Sequence, residues 1–242
     1  MIRPRRPEPL GRSPGSVRRL APADRLWYAA YGSNMHLDRL TCYLAGGRPA
    51  GGLRTHPGCR DPRGPARTAP MLLPGQLYFA TESQVWTGGS AFYDPGPGLP
   101  PADGAAGPRS GGGELPARGY LLTLAQFSDI AAQEMHREPG TDLDLTEALT
   151  RGRARTGPGR YETLVCAGLL DGHPVLTLTA PWSSREITAH PPSAAYLRHI
   201  AAGIVASHGW SPRRAAAYLA GCPGAEGHWT AEEIAALLDD SS

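Results

Sequence analysis

Two stretches of this chain carry residue types and spacings suited to chemistry. The first is Leu26-Trp27-Tyr28-Ala29-Ala30-Tyr31-Gly32-Ser33-Asn34. An aromatic-rich apolar run reads as a buried strand. It stops at Tyr31-Gly32-Ser33-Asn34, and an amphipathic stretch from Met35 to about residue 45 follows at once. Strand, Gly-centred turn and helix N-terminus point several backbone N–H groups at one spot, with the positive end of a helix dipole behind them. Gly32 is free to take φ > 0 and lets a ligand approach the main chain closely. Ser33 and Asn34 are both good N-cap residues. Such a spot suits a small anion, for example a carboxylate; the plainer reading is an N-cap after a strand.

The second stretch is Ala117-Arg118-Gly119-Tyr120-Leu121-Leu122-Thr123-Leu124, which reads as a strand, continuing into a helix from about Ala125 to Met135. Phe127, Ile130, Ala131 and Glu134 fall on one helix face, so Glu134 lies on the apolar side. A carboxylate there is costly unless it is paired or functional. Burial also makes a carboxylate a better base near neutral pH. The plainer alternatives are a helix-end Glu facing solvent, or one paired with Arg137 at i+3.

The elements that must position these residues follow from pattern. A strand at 26–31 and a helix at 35–45 open the domain, with Gly46-Gly47 as the stop. Residues 46–75 read as turn-rich. Strand-like runs follow at Gln76–Thr81, Gln84–Trp86 and Ser90–Tyr93. Residues 94–114 form a Gly/Pro-rich low-complexity loop. Residues 144–151 are weakly helical. Tyr161–Leu170 and His173–Leu178 read as strands joined at Asp171-Gly172, a hairpin signal. Three helices close the chain. One runs over 194–207 and ends at Gly209. A second is capped by Ser211 with Pro212 at its first position, and a third opens with a Thr230/Glu233 capping box. Strands in the middle and helices at the end predict an α+β fold with an antiparallel or barrel-like sheet.

Composition removes several classes of chemistry. All 24 basic residues are Arg, which excludes a Schiff-base lysine, a phosphate-loop lysine and a Ser-x-x-Lys pair. Residues 1–24 read as a disordered, basic Arg/Pro-rich tail. The net charge is +2, and the part beyond the tail is slightly acidic, which argues against a nucleic-acid partner. No apolar run reaches membrane length, and the scattered Cys42, Cys59, Cys166 and Cys222 read as reduced thiols of a cytoplasmic protein. Gly11-Arg12-Ser13-Pro14-Gly15 matches a nucleophile elbow in sequence but lacks its strand and helix. Asp142-Leu143-Asp144-Leu145-Thr146 matches a phosphatase pattern, yet a turn precedes it, and an acidic helix N-terminus is the better reading. The eight His are dispersed, with no H-E-x-x-H, so no metal site is expected and a zinc deacylase or deacetylase has little support.

Together the two chemical stretches resemble the γ-glutamylcyclotransferase-like family, as a divergent, actinobacterial-type member. Tyr31–Asn34 matches the family's Tyr-Gly-Ser-Asn in full. Gly119–Leu124 followed by Ile130-Ala131-Ala132-Gln133-Glu134 matches its second motif, with Ala131 where Asp is common. Pro192-Ser193-Ala194-Ala195-Tyr196-Leu197 resembles its Pro-Ser-x-x-Tyr-Leu helix. The resemblance covers about 26–210, so it implies a cyclotransferase-like domain over 25–210 and a helical extension over 211–242. It implies a small mixed β-barrel flanked by helices, with a cavity at one end and no cofactor. It further implies that Tyr31, Gly32, Ser33 and Asn34 hold a small-molecule γ-glutamyl substrate, that Tyr161 lines the cavity, and that Glu134 is general base and acid. The substrate's α-amine would then attack its own γ-carbonyl, releasing 5-oxoproline and an amine. Within the same fold, a γ-glutamylamine cyclotransferase or an amide hydrolase of specialised metabolism is the alternative reaction, and a non-catalytic binding module is the alternative class. The sequel Gln133-Glu134-Met135-His136-Arg137 departs from the family's Glu-Gly. His136 and Arg137 read either as an anion site or as a solvated helix end.

Overall fold

Alternation of side chains along one strand organises the core. In β1 (Arg25–Ala30), Trp27 and Ala29 enter one apolar cluster while Leu26, Tyr28 and Ala30 enter another. A strand with successive side chains on opposite faces can serve two cores only if the sheet is covered on both sides. The computed structural model, which describes residues 3–10, 19–48, 55–83, 85–96 and 113–239, places β1 third in a six-stranded mixed sheet.

The other strands are β2 (Arg67–Pro74), β3 (Gln76–Glu82), β4 (Gly89–Asp94), β5 (Glu114–Thr123), β6 (Arg153–Arg155), β7 (Thr163–Leu170) and β8 (His173–Thr179). The order is β2-β5-β1-β8-β7-β6, with β3 and β4 forming a separate two-stranded sheet. β1 and β8 run parallel, and the remaining neighbours are antiparallel. Helices α1 (Leu37–Ala45), α2 (Leu124–Glu134) and α3 (Thr146–Arg151) cover one face. Helices α4 (Ala194–His208), α5 (Pro212–Ala220) and α6 (Ala231–Asp239) cover the other, packed with residues of β3 and β4. The fold is α+β as expected. The expected barrel is not formed: among the described residues β2 and β6 do not pair with each other, and the sheet stays open. β3–β4 attaches to β8 through the Thr179 hydroxyl, which donates to Tyr93 O at 2.6 Å and accepts from Tyr93 N at 3.1 Å.

Four other expectations are corrected. β2 lies within the stretch read as turns. Pro70 disguises it, and Pro is tolerated because β2 is an edge strand. Val85 and Trp86 stand in a turn rather than a strand, and Tyr161 precedes β7 instead of opening it. Residues 3–10, expected to be disordered, form a strap. Arg5 N donates to Pro70 O at 2.9 Å and Arg5 O accepts from Leu72 N at 2.9 Å. Glu8 exchanges main-chain bonds of 2.7 and 2.8 Å with Leu169. A bulge at Gly168 makes room: its φ is +130°, and a Cβ there would meet Glu8 O at 2.1 Å, closer than any real contact. Arg5 and Arg67 both bind Asp171 in the β7–β8 turn, at 2.5 and 3.0 Å. The elbow-like Gly11–Gly15 and most of the 94–114 loop lie outside the described residues. Among the described residues no helix is long and apolar enough to cross a membrane.

Candidate active site

The Tyr31–Asn34 loop leaves β1 and turns into a short 3-10 helix, Ser33–Met35, before α1 begins at Leu37. Neither Ser33 nor Asn34 caps a helix with its side chain; Gly32 and His36 hold the two N-cap positions. The first bond inside the turn is donated by Met35 N to Gly32 O, 3.0 Å, so the turn itself does not use the preceding amides. Gly32 does not take positive φ; its φ is −104°. Space is what favours glycine, because a Cβ would lie tight against the Tyr196 hydroxyl at 3.2 Å.

Asn34 joins this loop to α2. Its buried amide Nδ2 donates to Glu134 Oε1 at 2.8 Å and to the Tyr28 hydroxyl at 3.3 Å. Its main-chain carbonyl accepts from the Tyr120 hydroxyl at 2.8 Å. Helix α2 is fixed at both ends. At its start, Thr123 and Gln126 form a reciprocal capping box. Near its end, buried Gln133 donates to Tyr43 O at 3.0 Å. In its middle, Asp129, fully buried, accepts from the main-chain N–H of Arg60 and of Gly140 and pairs with the Arg60 guanidinium. Glu134, the last residue of α2, is half-buried. Arg137 does not pair with it; Arg137 binds Glu162, which also accepts from Gly159 N at 2.6 Å. That pair holds the turn presenting Arg160 and Tyr161.

Two adjoining compartments meet at Glu134. One, which we call inner because the Tyr31–Asn34 loop lines it, takes in about 400 Å³ with its solvent mouth and is lined by Tyr28, Tyr31, Gly32, Ser33, Asn34 and Tyr161 among others. The other, which we call outer only as a label, takes in about 710 Å³ with its solvent mouth and is lined by Arg39, Tyr43, Ser83, Trp86, Ser90 and Arg160 among others. Ser33, Glu134, Tyr161 and Tyr196 belong to both. Burial pushes the phenols of Tyr28, Tyr43, Tyr161 and Tyr196 upward, and the Glu134 carboxylate adds to each. They are therefore neutral hydroxyls at physiological pH. Burial, reinforced by His36 and Arg39, pushes the His199 imidazole down to about 4. Among the described residues no group of three or more His, Cys, Asp or Glu is placed to hold a metal ion.

No protein-family model matches the chain. Over 210 residues it is 31% identical to Histone deacetylase 5 of Arabidopsis thaliana, a match taking in 80% of this chain and 30% of that protein. The chain thus spans less than a third of that relative's length. In structure it is similar to a gamma-glutamyl cyclotransferase, with a TM-score of 0.44 and 16% identity, covering 90% of this chain and 100% of the other. It is also similar to an uncharacterized protein from Homo sapiens, with a TM-score of 0.43 and 15% identity, covering 89% and 98%.

All six residues singled out in the sequence line the inner compartment. Their groups are used differently. The Tyr31 hydroxyl is spent on Leu178 O, 2.7 Å, and so serves the fold. The Tyr161 hydroxyl donates to Ala91 O at 3.0 Å while its ring stacks on Phe92. The sequence reading missed Arg39, Tyr43, Trp86 and Tyr196 as lining residues. Tyr196 stood in a quoted motif, and its position beside the helix-capping Ser193 was the available signal. Trp86 stacks on Tyr196 at 5.6 Å with ring planes 11° apart, and its turn is held by Ser83 and Ser193. His136 lines the outer compartment in a left-handed conformation, φ +57°. The Asp142–Thr146 segment behaves as a helix start: Asp144 accepts from Thr146 N at 2.9 Å and Asp142 pairs with Arg60.

Proposed function

We propose that the chain is a γ-glutamylcyclotransferase-like enzyme that cleaves a γ-glutamyl amide by intramolecular attack. The observation carrying this reading is the 2.8 Å bond from Asn34 of the Tyr31–Asn34 loop to Glu134 Oε1. It joins a backbone turn suited to a polar acyl group with a half-buried carboxylate at one cavity. In the proposed reaction the substrate's γ-glutamyl end occupies the inner compartment. Glu134 takes a proton from the α-amine, whose nitrogen attacks the γ-carbonyl carbon. The carbonyl oxygen gains negative charge, and donors near Gly32 and Ser33 would stabilise it. When the C–N bond to the leaving amine breaks, Glu134 returns the proton to that nitrogen. The products are 5-oxoproline and a free amine, with atoms and electrons balanced and no co-reactant.

Nucleophile and electrophile share one molecule, so the protein's main task is to hold a folded conformer; near-attack geometry supplies up to about 7–11 kcal/mol in favourable systems. Neutral tyrosines around Glu134 support the reading, because their hydroxyls offer hydrogen bonds beside the carboxylate without adding a second negative charge. The test is incubation with a panel of γ-glutamyl compounds, following 5-oxoproline. Glu134→Gln should lower turnover by about 10²–10⁴-fold. Turnover by wild type that survives unchanged in Glu134→Gln would end the proposed mechanism.

A further inference from the structure

Asn34 and Glu134 stand 100 positions apart in the chain, and one 2.8 Å bond joins them. N–H···O bonds keep to about 2.7–3.2 Å, so the main chain carrying Asn34 needs its own anchor. The turn does not provide one. Its 3-10 helix ends at Met35, and α1 starts its own ladder with Leu40 N donating to His36 O at 3.2 Å. The carbonyls of Asn34 and Met35 fall in the break between the two helices. Among the described residues no main-chain N–H donates to either. Both residues are buried, so these carbonyls need donors from elsewhere. Tyr120 supplies one to both. Its hydroxyl shares a proton between Asn34 O at 2.8 Å and Met35 O at 3.1 Å. Arg118 Nη1 adds a bond to Met35 O at 3.3 Å. Burial pushes the Tyr120 phenol up, so the hydroxyl keeps the proton it donates.

Position adds the second argument. Tyr120 is fully buried on β5. Thr123, further along the same strand, caps α2, the helix that ends in Glu134. One strand therefore anchors the loop by a side chain and launches the helix that carries the carboxylate. Across the sheet Tyr120 is in register with Tyr28, and their ring centroids lie 6.4 Å apart. The Tyr28 hydroxyl accepts from Asn34 Nδ2 at 3.3 Å. The pair grips Asn34 from both ends, Tyr28 at the side-chain amide and Tyr120 at the main-chain carbonyl. Tyr120 itself lines neither compartment, so its influence on the cavity runs through Asn34. We infer that Tyr120 is a positioning residue: its hydroxyl fixes the Asn34 main chain and, through the Asn34 amide, the Glu134 carboxylate that exchanges protons in the proposed reaction.

This inference rests on the proposed function for its effect on rate, and its test separates the two. The kinetic arm uses a γ-glutamyl compound that wild type turns over. Tyr120→Phe, which removes only the hydroxyl, should lower kcat by about 10–100-fold and change KM by less than about threefold. In a Glu134→Gln background the same change should lower the residual turnover by less than about threefold, because the group it positions is gone. A role in the fold alone would lower both by the same factor. Tyr93→Phe, which loses a 2.6 Å hydroxyl bond to Pro74 O away from both compartments, should leave kcat within about twofold. The second arm needs no turnover. In the isotope-labelled full chain, the NMR signals of the Asn34 side-chain amide and the Glu134 carboxylate should move in Tyr120→Phe and stay in Tyr93→Phe. If Tyr120→Phe fails to fold, 4-aminophenylalanine placed at Tyr120, a weaker donor of the same shape, replaces it in this arm. Signals that move while no γ-glutamyl compound turns over would uphold the inference and end the proposed reaction. Signals that match wild type, or equal factors with and without Glu134, would overturn the inference.

Discussion

Removing the Asp129 carboxylate should be among the most damaging single changes to this fold. Its burial is complete, and its two oxygens accept from Arg60 N at 2.8 Å, Gly140 N at 3.0 Å and Arg60 Nε at 3.0 Å. In Asp129→Ala the two backbone donors lose their acceptor inside the protein, at about 1–3 kcal/mol each. The charged bond to Arg60 is lost as well, although Arg60 keeps Asp142 at 2.5 Å and is partly exposed. The expected cost is about 3–5 kcal/mol, equivalent to a fall in midpoint of about 6–20 °C for a chain of this size. Urea unfolding, paired with calorimetry, measures it. Arg60→Met alone should also be costly, because it strands a buried carboxylate. The double variant should be no worse than Asp129→Ala by more than about 1 kcal/mol. A single-variant loss below about 1 kcal/mol, or strict additivity in the double variant, would refute the idea that this carboxylate ties the two flanking loops to α2.

Arg39→Met should raise stability by about 1–2 kcal/mol, since relief of two unsatisfied buried donors, Nε and Nη1, outweighs the lost aromatic contacts with Trp86 and Tyr43; thermal melts of wild type and variant check this, and a lower midpoint would contradict it. Gly32→Ala should cost about 1–2 kcal/mol by crowding the Tyr196 hydroxyl at 3.2 Å, and Tyr196→Phe, by removing that oxygen, should recover at least half of the loss in a double variant. His199 makes stability pH-dependent with a defined sign. Its folded value of about 4 lies below the unfolded 6.5, so the unfolded chain takes up the proton first. The contribution is complete above about pH 6.5 and is lost as pH falls towards 4. Chemical denaturation at pH 7 and pH 5 should therefore show a smaller loss on acidification in His199→Phe than in wild type, and equal slopes would count against it.

Local signals made much of this architecture legible. The alternation of Leu26, Tyr28 and Ala30 against Trp27 and Ala29 marks a strand with two buried faces. The Ser211 cap and the Thr230/Glu233 box each stand at a helix start as read, while the Thr123/Gln126 box and the Ser193 cap went unread. Asp171-Gly172 marks the β7–β8 turn. The face argument put Glu134 on the apolar side of α2, where it is half-buried, because helical spacing is a local property. β2 was hidden because Pro70 breaks the strand pattern, and only the sheet order reveals that it occupies an edge where proline does little harm. The open sheet was read as a barrel because closure depends on whether the first and last strands meet. Arg39 was illegible for a related reason. On the helix surface it looks like an ordinary solvated cation, and its burial comes from Trp86, 47 positions away in the chain.

The strap of residues 3–10 gives the open sheet a stiffness that its ladder does not provide. β2 and β7 are not neighbours, so splaying them would bend the sheet while sparing each strand-to-strand hydrogen bond. With Arg5 bonded to Pro70 and Leu72, and Glu8 to Leu169, that motion must first break the pair of main-chain bonds at one end of the strap or the other. A short N-terminal segment thus supplies a tie where a barrel would have a closing strand. It sets how far the two halves of the sheet can breathe apart without unfolding.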